Sequence, residues 1–118
     1  SVIPRNYTAA VGITAQVTWT SKTVTSGTIG WDVTFERDSG ASGDDIVADH
    51  WQTAQTIIAV TVPASAGLVA ISSIAIAAGT NGTASVVAGD CYRVRLRRLS
   101  SDTATGVAQF LSLELKET

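Results

Sequence analysis

From Ile13 onward the chain alternates between apolar and polar residues. Ile13, Ala15, Val17 and Trp19 fall on one side, and Thr14, Gln16, Thr18 and Thr20 on the other. Successive side chains of a strand point to opposite faces, so this spacing predicts a half-buried strand with threonines turned to water. Residues 28–37 repeat the pattern, with Ile29, Trp31, Val33 and Phe35 inward and Asp32, Thr34 and Glu36 outward to solvent. Only a short polar segment, 21–27, separates the two runs, which predicts that they pair as a hairpin.

Further strands are expected over residues 55–62, which end at Pro63, and over 68–77 after a turn at 63–67. Asn81-Gly82 marks another turn. Residues 85–88 and the segment before Gly12 offer two short additional strands. Gly89-Asp90 then opens a strand with Tyr92, Val94 and Leu96 inward and Arg93, Arg95 and Arg97 outward. The last strand, 107–116, is read with Val107, Gln109, Leu111, Leu113 and Leu115 on one face and Phe110, Ser112, Glu114 and Lys116 on the other. The loop at 38–45 is polar and acidic. Val47, Trp51 and Ala54 follow at helical spacing, which predicts a helical turn or two over 45–53.

This pattern predicts an all-β fold: six strands and two short ones, about eight in total, with no strand-helix-strand unit. Strands at this spacing form an antiparallel sandwich or barrel. The 118 residues suffice for one domain, 1–118, with a real core. Composition agrees, with 45% hydrophobic residues and Thr, Val, Ile, Ala, Ser and Gly in excess. No apolar run is long enough for a transmembrane helix. A net charge of −2 argues against a nucleic-acid partner. The one cysteine, Cys91, can form no disulfide within the chain and is read as a small half-buried residue. There is no methionine and no visible signal peptide, which predicts a piece of a longer protein or a trimmed chain.

Chemistry is sparse. One His, one Cys and no nucleophile-elbow or phosphate-loop motif argue against an enzyme. Asp38, Asp44, Asp45, Asp49 and His50 fit no known metal spacing, so neither a metal nor another cofactor is expected. The densest charge is the outward row Arg93, Arg95 and Arg97. It reads as a site for sulfate, phosphate or an acidic sugar, as a subunit contact, or as a cross-strand charge ladder with Asp32, Glu36 and Glu114, the ladder being favoured. Trp51 and Tyr7 fall in irregular segments. Each is a candidate sugar-stacking residue, with Trp51 alternatively pinning a loop to the sandwich.

Several segments, in order, resemble a domain of tailed-bacteriophage virion surface proteins. They are Pro4-Arg5-Asn6-Tyr7 before the strand that ends at Trp19, then Gly30-Trp31-Asp32-Val33-Thr34-Phe35-Glu36-Arg37, then Gln55-Thr56 ahead of Pro63. Ala88-Gly89-Asp90-Cys91-Tyr92-Arg93-Val94-Arg95-Leu96, Asp102-Thr103 and the closing Leu113-Glu114-Leu115-Lys116-Glu117-Thr118 complete the set. The resemblance spans nearly the whole chain and carries no catalytic or ligand motif; residues 69–88 depart from it in being rich in Ala and Thr. It implies a jelly-roll sandwich, a homotrimer, other virion proteins as partners, and a place on the virion surface as a tail fibre, decoration or receptor-binding module of a longer fibre protein. Contact with a host cell-surface glycan would follow from such a place. The alternative is a carbohydrate-binding module of a glycan-active protein.

Overall fold

A computed structural model describes residues 3, 6, 12–38, 51, 55–76 and 88–118. Six strands lie among them: β1 (Ile13–Ser21), β2 (Thr28–Asp38), β3 (Gln55–Thr61), β4 (Val69–Ile76), β5 (Cys91–Arg98) and β6 (Ala108–Glu117). They form two three-stranded antiparallel sheets, ordered β4-β1-β6 and β3-β2-β5. The fold is a β-sandwich, as the alternation predicted. The two short additional strands, the expected helical turn over 45–53 and the acidic loop fall on residues that are wholly or mostly outside those described.

The expected hairpin does not form. β1 and β2 are the central strands of opposite sheets, and the 22–27 connection passes from one sheet to the other. The reason is burial. Both strands carry a continuous apolar face, and stacking these two faces buries both, whereas side-by-side pairing would leave both needing a cover. Ala15, Val17 and Trp19 of β1 meet Ile29, Trp31, Val33 and Phe35 of β2, joined by Ile74 and Ile76 of β4. Each is almost fully buried.

The sandwich is narrow on one side, where β3 and β4 approach each other. It is more open on the other. There Tyr92, Arg93 and Val94 of β5 and Leu113 and Leu115 of β6 line a cleft of about 400 Å³. Ile3 is buried and tied to the turn ahead of β5, its N–H donating to the Asp90 carbonyl (2.7 Å) and its carbonyl accepting from the Gly89 N–H (2.9 Å).

The last strand departs from the expected facing. Thr18 pairs with Ser112 but Trp19 pairs with Phe110, so Leu111 is an extra residue. A bulge of this kind breaks the period of two. Leu113 and Leu115 pack on the core, whereas Val107 and Leu111, expected on the same face, are exposed.

Candidate functional site: the arginine strip of the outer sheet face

The outer face of the β3-β2-β5 sheet gathers five of the charged side chains the sequence singled out: Asp32, Glu36, Arg93, Arg95 and Arg97. The β2–β5 register sets Asp32 opposite Arg97, Thr34 opposite Arg95, and Glu36 opposite Arg93. Residues directly opposite on one face of an antiparallel pair have neighbouring side chains. Arg97 grips Asp32 with both ends of its fork, Nε to Oδ1 at 3.1 Å and Nη2 to Oδ2 at 2.7 Å. Arg93 Nη2 donates to Glu36 Oε1 at 2.6 Å. The Asp32 bond holds the Arg97 guanidinium above its ordinary pKa, so it remains a cation.

The outward face of β2 is not wet. Asp32, Thr34 and Glu36 are 3%, 0% and 3% exposed. The alternation placed them on the correct face but predicted water where the arginines lie. An arginine carries enough aliphatic stem to cover the neighbouring strand while its guanidinium stays at the surface. The side chains of Arg97 and Arg93 remain 55% and 44% exposed.

Trp51 covers part of the same strip. Its ring lies 5.2 Å from the Arg93 guanidinium carbon and 4.9 Å from that of Arg95. An indole face attracts a cation at such distances through its quadrupole. Two groups that the sequence offered as separate candidates, Trp51 and the arginine row, thus form one cluster. Tyr7 lies outside the described residues. Glu114 does not belong to the strip, because β6 is in the other sheet and Glu114 pairs with Gln16.

Arg95 differs from its neighbours. Arg93 and Arg97 each hold a buried carboxylate, but Arg95 faces Thr34. The Thr34 Oγ1 and the Arg95 Nε are both buried and have no hydrogen-bond partner among the described residues. Three guanidiniums therefore face two carboxylates across the strand pair.

No family model, curated protein or solved structure matches the chain.

A second charged cluster pins the β5–β6 connection, and reading the sequence by alternation missed it. Arg98 Nε and Nη2 donate to Asp102 Oδ2 (2.6 Å) and Oδ1 (2.9 Å), and Nη2 also donates to the Ala104 carbonyl at 2.6 Å. Asp102 Oδ2 accepts the Gly30 N–H at 3.5 Å. The Arg98 hydrogen bonds, aided by Gly30, lower the Asp102 carboxyl below its ordinary pKa against the opposing effect of burial. The four-residue spacing of Arg98 and Asp102 was the available signal; nothing local pointed to Gly30. Cys91, expected half-buried, is exposed at the start of β5.

Proposed function

We propose that the chain is a non-enzymatic structural module that assembles with copies of itself. One observation carries this reading. The large apolar residues left exposed among those described are Leu68, Val69, Ile71, Val107, Phe110 and Leu111, and the register sets Val69 and Ile71 of β4 side by side on the outer face at the Thr20 end of β1. Val69 pairs with Thr20 and Ile71 with Thr18, which places both on the outer face, whereas Phe110 pairs with the core residue Trp19 and is exposed at the edge of the opposite face. A grouped apolar surface is a feature of association sites. β4 adds to it: among the described residues it pairs only with β1, and its sequence Val-Ala-Ile-Ser-Ser-Ile-Ala-Ile has no charge or proline to discourage pairing with another strand. The charged groups that the fold brings together, Asp32, Glu36 and Asp102, are engaged in ion pairs.

The resemblance to virion surface domains gives this assembly its setting: a homotrimeric jelly-roll module projecting from a bacteriophage particle as fibre or decoration, beside other virion proteins. Light scattering on the purified chain tests it. A trimer is expected over a wide concentration range, and Ile71→Ser with Leu111→Ser is expected to dissociate it. A monomer throughout that range overturns the reading. The second reading, a carbohydrate-binding module, is favoured by the half-buried Trp51 above Arg95, which has no carboxylate partner among the described residues.

A further inference from the structure

We propose that the outer face of the β3-β2-β5 sheet is an anion site centred on Arg95, and that it takes the carboxylate of an acidic sugar whose ring stacks on Trp51. The inference deepens the glycan-binding reading and is independent of whether the chain assembles.

The arginine row is out of balance with the carboxylates of β2. Outward positions on a strand recur about every 7 Å, so the three guanidiniums form an evenly spaced row. The two outer ones are neutralised by Asp32 and Glu36. The middle one is not: Arg95 faces Thr34, and the Arg95 Nε and the Thr34 Oγ1 are both sealed from water with no partner among the described residues. Both can donate a hydrogen bond, and the guanidinium can only donate. Buried donors are normally satisfied, and among the described residues no acceptor reaches these two. A carboxylate supplies two acceptor oxygens in the geometry a guanidinium fork matches, and its charge cancels the excess cation.

Trp51 narrows the class of ligand. Its ring contacts Arg93 and Arg95 and is half-buried. It provides a rigid apolar plane next to the cation, the surface on which the C–H face of a pyranose stacks. The ring also restricts access, so binding requires it to slide off Arg95. That exchange is favourable, because a charge-assisted pair is stronger than a cation–π contact at a partly exposed site. An acidic peptide would satisfy Arg95 equally well but would make no use of a flat apolar wall.

The test uses tryptophan emission from the whole chain. Trp19 and Trp31 are buried, so a ligand that moves Trp51 changes the solvent-exposed part of the signal. The probes are sodium glucuronate, glucose as its neutral counterpart, and sodium acetate as a carboxylate without a ring. Glucuronate is expected to give a saturable change, glucose none, and acetate binding at least about tenfold weaker. Arg95→Gln is expected to weaken glucuronate by about tenfold or more, and Trp51→Phe by several-fold, at unchanged urea midpoints. Loss of the indole removes its emission, so Trp51→Phe is read by calorimetry.

The proposal is overturned by no saturable response to glucuronate up to ~100 mM, by a response that Arg95→Gln leaves intact, or by acetate binding as tightly as glucuronate. Binding that emerges only after Asp49→Asn also overturns it. Asp49 precedes Trp51 by two residues, and the chain's own carboxylate would then be the acceptor.

Discussion

Trp19 of β1 and Trp31 of β2 meet across the interior of the sandwich, their ring centroids 6.3 Å apart and their planes inclined at 56°. Only Trp19 has its indole N–H satisfied, donating to Ser72 Oγ of β4 at 2.9 Å. Trp31 Nε1 is buried without a partner among the described residues. The two rings make one contact but differ in polar satisfaction. Trp19→Phe removes a buried hydrogen bond and strands the Ser72 hydroxyl, whereas Trp31→Phe removes an unpaired donor. Trp19→Phe is therefore expected to be the more destabilising by about 1–3 kcal/mol, read from urea unfolding monitored by circular dichroism.

Ser72→Ala approaches the same bond from the other side. It leaves the Trp19 N–H buried and unpaired, which costs about 1–3 kcal/mol. Ser73→Ala serves as the control. Ser73 is exposed, and its Oγ accepts only a long 3.4 Å bond from Gln16 Nε2, so a change within about 0.5 kcal/mol is expected.

Arg97→Gln removes the exposed partner of a buried carboxylate, leaving Asp32 without its bidentate donor. The single change is expected to lower the urea midpoint, and adding Asp32→Asn is expected to recover part of the loss, because an uncharged amide is cheaper to leave in that position. A double variant as unstable as the sum of its singles would show that the two side chains do not act as a pair.

Asp102 sets a pH dependence. Its folded pKa lies below the unfolded value of about 3.9 because Arg98 and Gly30 donate to it. The stabilisation is fully present above about pH 4 and is lost as pH falls through the folded value. Asp102→Asn is expected to destabilise the chain at pH 7 and to flatten the acid limb of stability against pH. Urea midpoints across that range measure both effects.

Ala59 is the one non-glycine among the described residues with a left-handed backbone, at φ 68°, and it lies where the β2–β3 register shifts between Ile29 and Trp31. A Cβ in that region costs roughly 1–2 kcal/mol, partly offset by the entropy a glycine loses on folding. Ala59→Gly is expected to stabilise by about 0.5–1 kcal/mol, and Ala59→Val to destabilise. Thermal unfolding of the two variants checks the pair of signs.

Gly30 illustrates what sequence reading lacked. A Cβ there would come within 2.8 Å of the Leu99 side chain. Leu99 N–H also donates to the Gly30 carbonyl at 2.9 Å. The small residue makes room for a side chain far along the chain, and no local pattern marks it. The Arg98–Asp102 cluster is similar, since its spacing was visible while its target on β2 was not. The arginine row was legible in its facing and in two of its three proposed partners, Asp32 and Glu36. The third, Glu114, was misplaced because membership of a sheet is not a local property.

By itself the sequence determined the all-β class, the position of each described strand and, for β1, β2, β5 and the part of β6 beyond the bulge at Leu111, which side chains face the core. Those follow from a period of two, imposed by the pleat and readable over a few residues. Tertiary structure alone decided that β1 and β2 stack rather than pair, since burying two tryptophan-bearing faces against each other is a long-range gain that alternation cannot rank. It also decided that the outward face of β2 is dry. Whether an outward residue meets water depends on what the neighbouring strand lays over it, and here arginine stems and the Trp51 ring occupy that space.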